Sequence, residues 1–360
     1  MLKQLHVYLK TTETCQLNCA HCFTSGRFGR KIYFNPDKTI DWFKRLKHAQ
    51  PTLQTLTVEF HGGEPFLAPV ADMRRVWDEC KDLFPNSHWS ACTNLTFNLD
   101  DEKLNFMKEA FGYHMATSWD DGIRFENAKQ EELWAKNVKT LVDAGFQLTL
   151  MVSLSRKTIS KEPIELLRFA ADMGFKYISL ERITPHGHAQ GNSDIFPDNK
   201  ELDAWFLRMW EQSVEHRAWE WAPMNVFLNG ILEKFNRGVT GGVFCRNCET
   251  KMFTLNADGA IGGCPNDAPV NNYGHIDMEI KDLFYNPGRM KKIACESIRN
   301  PGCYQCPVFD ICGGDCQQVL WQGNVCASPK SMIKHLKTVD DYDLFEKFLK
   351  GAVTNGHQSS

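Results

Sequence analysis

Fourteen cysteines in 360 residues constrain this chain more than any other feature, because of where they fall. Three lie within Cys15–Cys22, two stand alone at Cys80 and Cys92, and nine crowd between Cys245 and Cys326. More than 150 residues between Cys92 and Cys245 contain none, a distribution unlike a small disulfide scaffold. The N-terminal stretch Met1–Tyr8 has neither a secretory apolar region nor a small-residue cleavage site. No run of eighteen apolar residues exists that could span a membrane. A cytoplasmic location is therefore expected, and in a reducing compartment dense cysteine points to metal or redox chemistry. The net charge of −3 gives no electrostatic case for binding nucleic acid or a membrane surface.

The first half alternates between the two hydrophobic periods. Strands are predicted at 5–10, 55–60, 89–93, 113–117, 146–152 and 177–181, with helical spacing between several of them. Such repeats imply a parallel sheet, since parallel neighbours need crossover connections. After Pro185 the spacing predicts helices near 201–217 and 226–235. A Gly-, Cys-, Pro- and Asn-rich segment then runs from 238 to 329. That segment lacks apolar periodicity, so bound metal would serve as its staple. A last helix is predicted over 331–350.

Cys15, Cys19 and Cys22 have the spacing C-x3-C-x2-C. Three thiolates on one loop can hold three irons of a cubane cluster and leave the fourth iron open. A zinc site would need a fourth ligand, with His21 or His6 available. About forty residues later, Gly62-Gly63-Glu64-Pro65 closes the second strand, which alone would read as a turn with a proline stop. In the far half, Cys248 and Cys264 precede Cys303-x2-Cys306-x5-Cys312-x3-Cys316 and Cys326, an array that zinc knuckles could also explain.

Together the cysteine loop and the Gly-Gly-Glu-Pro turn resemble the signatures of the radical S-adenosylmethionine (SAM) superfamily. The far array resembles the seven-cysteine SPASM module of radical SAM enzymes that modify peptides. The resemblance implies an α/β fold, a partial (β/α)6 TIM-like barrel with a small C-terminal iron–sulfur (SPASM) domain and a terminal helix. It implies a barrel over 1–220, a linker helix over 221–237, the cluster domain over 238–330 and the terminal helix and tail over 331–360. Its cofactors would be SAM and three [4Fe-4S] clusters. Cys15, Cys19 and Cys22 would carry the SAM-cleaving cluster. Cys245, Cys248, Cys264 and Cys316 would hold one auxiliary cluster, and Cys303, Cys306, Cys312 and Cys326 the other. Cys245 lies outside the seven-cysteine motif; without it the first auxiliary cluster would keep an open iron.

The resemblance also implies SAM contacts. His21 takes the place of the family's aromatic before the third cysteine. Gly62 and Gly63 would receive the SAM amino group, with Glu64 and Pro65 holding the turn. Thr93, Asn94, Ser118, Asp120, Arg124 and Ser153 follow later strands, where ligands of α/β folds bind, with Arg124 facing the SAM carboxylate. Ser155 is a candidate of the same kind, and 181–187 resembles the sixth-strand ending near the adenine. Asp120 and Gly122 depart from the family's S-x-D-G by one inserted residue, Asp121.

The implied reaction is reductive cleavage of SAM to a 5′-deoxyadenosyl radical, followed by oxidative modification, such as crosslinking, of a ribosomally made peptide. Asp267 and Asp315 are the candidate bases. An external electron donor of the flavodoxin or ferredoxin type would be a partner. With the first strand near residue 5, a separate peptide-recognition protein could be another. Alternatives are a sulfatase maturase, disfavoured because Pro265 stands where that family has Asp, or a small-molecule radical dehydrogenase. A zinc-stapled binding protein is the non-enzymatic reading. Cys80 and Cys92 read as core residues, Cys295 as a bystander, and Trp205, Trp210, Trp219 and Trp221 as packed core or a contact surface.

Overall fold

The computed structural model of the protein describes residues 2–238, 246–267 and 271–351. Six parallel strands succeed one another: β1 Gln4–Thr12, β2 Thr55–Gly62, β3 Asn86–Thr93, β4 His114–Ser118, β5 Gln147–Ser153 and β6 Tyr177–Glu181. Each lies within a few residues of its predicted place. Helices cover one face. Helix Pro36–Ala49 starts where the Asn35 side chain accepts from the Lys38 N–H, satisfying one of the donors a helix start leaves orphaned. It buries Ile40, Phe43 and Leu46, as its spacing predicts. Helix Val70–Cys80 buries Met73, Val76 and Cys80 in the same layer.

Strand alternation sorts the two sheet faces. Leu5, Val7 and Leu9 of β1, Leu56, Val58 and Phe60 of β2, and Leu148, Leu150 and Val152 of β5 belong to the helix-covered core. Their neighbours His6, Tyr8, Lys10, Glu59, His61, Ser90, Cys92, Ser153 and Glu181 point to the other side, the lumen. A closed barrel fills that space with branched apolar side chains. Here it is polar.

The sheet stays open among the described residues. β6 pairs onward with the two-residue β7 (Met224–Asn225), while β1 pairs on its free side with β8 (Met252–Leu255). β9 (Ala260–Gly262) and β10 (Gly274–His275) extend the β8 edge as an antiparallel meander. These short strands escape sequence reading because two to four residues carry no measurable period. Helix Asp101–Phe111 was likewise not anticipated, although Asp100 caps it and Gly112 ends it in the left-handed conformation.

Helices Asn199–Glu215 and Val226–Arg237 match their predicted places. The single terminal helix expected is two, Lys330–Leu336 and Tyr342–Lys350, separated by the acidic start at Asp341. Trp205 and Trp210 are buried, and Trp210 and Trp219 pack against Phe348 of the last helix. Trp205 and Trp210 are core, and Trp219 and Trp221 pack against it partly buried. No described helix is long and apolar enough to cross a membrane.

Candidate cofactor and cluster sites

The cysteine loop leaves β1 and is fastened to the turn that ends β2. Gly63 N–H donates to Thr12 O at 3.0 Å, and Glu64 N–H donates to Thr14 O at 2.9 Å. A Cβ on Gly62, whose φ is +142°, would lie 2.3 Å from Thr12 O, and one on Gly63 would lie 1.9 Å from Thr14 O. The glycines are thus required by the approach of this turn to the backbone leading into Cys15. Glu64 is fully enclosed. Its Oε1 accepts from Thr93 Oγ1 (2.7 Å) and Phe66 N–H (3.1 Å), and its Oε2 accepts from Asn94 N–H (2.8 Å). Burial pushes its carboxyl up to about 7 against these three donors. Asn94 Nδ2 in turn donates to Cys15 Sγ at 3.3 Å. One chain of contacts therefore joins Pro65, Glu64, Thr93, Asn94 and Cys15.

His21, Asp120 and Arg124 form a second group. Arg124 Nε donates to Asp120 Oδ2 at 2.6 Å, and His21 Nε2 lies 3.2 Å from the same oxygen. Ser153 contributes its backbone N–H to Asp120 Oδ1. Burial alone would raise the Asp120 carboxyl, but His21 and Arg124 hold it well below the usual carboxylate range. Arg124, expected to face the SAM carboxylate, is here committed to Asp120 and to His21. The Ser118 side chain bonds Cys92. Cys92 is a lumen residue, not the core residue expected, because position 92 falls on the polar side of the β3 alternation.

The loop after β6 braces the cysteine loop from the far side. His188 N–H donates to Cys22 O (2.8 Å), His188 Nδ1 bonds Cys19 O (2.9 Å), and Asn192 Nδ2 donates to Ala20 O (3.2 Å). Sequence reading assigned 181–187 to a ligand and missed this brace. Gly187 was its only signal.

The chemistry of the donor set fits iron–sulfur clusters. Burial pushes the Cys15 thiol up to about 12 and Cys19 up to about 11; Cys19 and Cys22 add to the rise at Cys15, and Cys22 adds to it at Cys19. Such thiols ionise when a metal supplies positive charge. Farther along, Cys303, Cys306, Cys312 and Cys326 line one cavity of about 280 Å³. Cys316 stands apart from that lining and interacts with Cys264, itself pushed up to about 12 by burial. Tyr8, in the lumen, senses both Cys264 and Cys248. Cys245 lies outside the described residues. Among these, no three motif cysteines bring their sulfurs within 4.8 Å of one another. Thiolates around a single zinc would stand about 3.8 Å apart, from a Zn–S bond of roughly 2.3 Å.

Asp267 and Asp315 are both held by cations. Asp267 pairs with Lys292 and accepts from Asn271. Asp315 takes two nitrogens of Arg182.

No family model matches the chain. An uncharacterized protein of Methanocaldococcus jannaschii is 27% identical over 100 residues, 28% of this chain and 32% of that protein. The match therefore spans about a third of that relative's length. Solved structures resemble the chain far more completely. anSMEcpe with bound AdoMet covers 98% of this chain and 97% of its own, at 16% identity and a TM-score of 0.76. Streptococcus suis SuiB bound to precursor peptide SuiA covers 88% of this chain and 72% of its own, at 16% identity and a TM-score of 0.60. The fold is that of radical SAM enzymes. In this radical SAM fold the cysteine loop sits at the carboxyl ends of the strands, the end at which ligands of α/β sheets bind.

Proposed function

We propose that the chain is a radical SAM enzyme of the SPASM type that oxidatively modifies, by crosslinking, a ribosomally made peptide. The observation that carries this reading is the built connection from Glu64 through Asn94 to Cys15, which ties the Gly-Gly-Glu-Pro turn to the three-cysteine loop. Cys15, Cys19 and Cys22 would hold the SAM-binding cluster, with the auxiliary sets as grouped above, for three [4Fe-4S] clusters in all. When bound and reduced, that first cluster supplies the electron that splits SAM and so permits hydrogen removal from an unactivated carbon.

The residues of the chain do the rest. Glu64 fixes the turn, Asp120 orients His21 and Arg124, and the polar lumen receives substrate beneath the cysteine loop. Of the two candidate bases, Asp267 is held by Lys292 and Asn271, whereas Asp315 is clamped by the buried Arg182 guanidinium. A peptide partner is supported by anSMEcpe, solved with Cp18Cys peptide, and SuiB, solved with SuiA. The division into a barrel to residue 220, a linker helix to 237, a cluster domain to 330 and a terminal segment belongs to the same proposal, as do a cytoplasmic setting and a flavodoxin- or ferredoxin-type donor.

Anaerobic reconstitution followed by dithionite and SAM tests it. We expect about twelve irons per chain and release of 5′-deoxyadenosine that Cys19→Ala abolishes. A fully loaded chain that releases none overturns the reading. The sulfatase-maturase reading is less well carried, since Pro265 follows Cys264 where that family has Asp.

A further inference from the structure

Lys10 is 2% exposed and carries an ammonium into the lumen beside the cysteine loop. Among the described residues no carboxylate lies within ion-pair distance of it and no acceptor takes its hydrogens; its Nζ lies over the Phe23 ring, 5.8 Å from the ring centroid. The negative groups that sense it are Glu13, Cys22, Cys264 and Asp258. Both carboxylates are already taken. Glu13 accepts two hydrogen bonds from Arg30, and Asp258 accepts from Arg30 and from Ala260 N–H. A buried cation left without a committed anion is costly.

His61 is the register partner of Lys10 across the β1–β2 ladder, on the same lumen face. Phe23 covers both, with its ring centroid 5.7 Å from that of His61. Gly62 N–H donates to His61 Nδ1 at 2.8 Å, which leaves the neutral ring's proton on Nε2. The ring therefore presents a donor. Glu59, His61 and Cys92 do bring ligand atoms within 4.8 Å of one another, as a cation site would. With Nδ1 occupied and Nε2 protonated, however, His61 offers a hydrogen and not a lone pair.

We infer that Lys10 and the Nε2–H of His61 form a carboxylate-binding site at the top of the lumen, so that the substrate presents an acidic side chain or a C-terminal carboxylate beneath the cysteine loop. This rests on the reading above that the lumen is the reaction chamber, and it narrows the substrate to one bearing an anion. An ammonium paired with a second donor is the arrangement that charge-assisted recognition of a carboxylate uses.

Three small probes test it by ligand-observed NMR on the reconstituted, SAM-bound protein. N-acetylglutamate α-amide carries a side-chain acid, N-acetylglutamine a terminal one, and N-acetylglutamine amide neither. We expect one acid to bind about tenfold or more tighter than the neutral amide. Lys10→Met should abolish that preference and Lys10→Arg restore part of it, with iron content and SAM affinity within about twofold of wild type. Equal binding of acids and amide, or an acid preference that survives Lys10→Met, overturns the site. So does loss of SAM affinity in Lys10→Met, which would assign the ammonium to the cofactor, or loss of iron, which would assign it to cluster charge. A wild-type chain that shows the preference but releases no 5′-deoxyadenosine would leave this site standing and remove the radical SAM reading.

Discussion

Arg182, just beyond β6, grips Asp315 of the cysteine segment with both terminal nitrogens, and both side chains are buried. Asp315 Oδ1 also accepts from Cys316 N–H at 2.6 Å, and its backbone is held at a φ of +55°. The pair thus anchors Cys312 and Cys316 to the barrel. Removing one partner of a buried pair costs about 3–5 kcal/mol, because the other charge is stranded. Arg182→Met should therefore lower the denaturant midpoint and release auxiliary irons, measured by metal analysis. Arg182→Lys should rescue only partly, since an ammonium cannot match both carboxylate oxygens. Unchanged iron content and midpoint in Arg182→Met would dismiss the anchoring role.

Glu64 illustrates a site where a near-isosteric change is expected to fail. In Glu64→Gln one carboxylate oxygen becomes an NH2. Facing Asn94 N–H it would set donor against donor; facing Thr93 and Phe66 it would do the same. An unsatisfied buried donor costs about 1–3 kcal/mol. Weakened SAM binding and a lowered thermal midpoint are expected, both more severe in Glu64→Ala. Calorimetric titration of SAM into the reconstituted variants measures the first.

The sequence carried the barrel well and the site unevenly. Strands β1 to β6 were legible because each alternates a core face with a polar one over five to nine residues. The same alternation held the clue to Cys92, which shares the polar phase of Ser90 and was misread as core. Pairings distant in sequence were not legible. Nothing local to Asp120 announces that His21, Arg124 and Ser153 converge on it, nor does Arg182 advertise Asp315, 133 positions away. Cysteine spacing, by contrast, singles out Cys303, Cys306, Cys312 and Cys326, which line one cavity.

That grouping makes a numerical expectation. The double substitution Cys306→Ala, Cys326→Ala removes two sulfurs from one cavity and should lower iron by about four per chain. Uncoupled release of 5′-deoxyadenosine should persist, because the N-terminal cysteines are untouched. Loss of about eight irons would instead mean that the two auxiliary sites are not separate ligand sets.

Lys10 gives a pH dependence with a definite sign. Burial pushes its ammonium down from 10.5 to about 8. Between those values the unfolded chain holds a proton that the folded chain has released, so stability rises with pH across the window. Below it, both states are charged and the folded state bears the cost of enclosing the ammonium. Lys10→Met removes this titration. The variant should unfold at a higher guanidinium concentration than wild type at pH 7, with the gap closing by pH 10. Parallel curves at both pH values would show that Lys10 is not enclosed as an ammonium.

Gly187 is the most economical test of the brace on the cysteine loop. Its φ is +56°, and an added Cβ would stand 2.3 Å from the Phe23 carbonyl carbon and 2.4 Å from Thr24 O. Both atoms are backbone, so no side chain can swing aside. Gly187→Ala must either rotate the 186–192 loop away, breaking the His188 bonds to Cys19 and Cys22, or push Phe23 and with it Cys22. Either way the cysteine loop at Cys19 and Cys22 moves while Cys248 to Cys326 remain in place. We expect a selective loss of about four irons and of SAM cleavage, with the auxiliary signals retained in low-temperature electron paramagnetic resonance. A variant with full iron and full 5′-deoxyadenosine release would show that the loop after β6 does not position the cysteine loop.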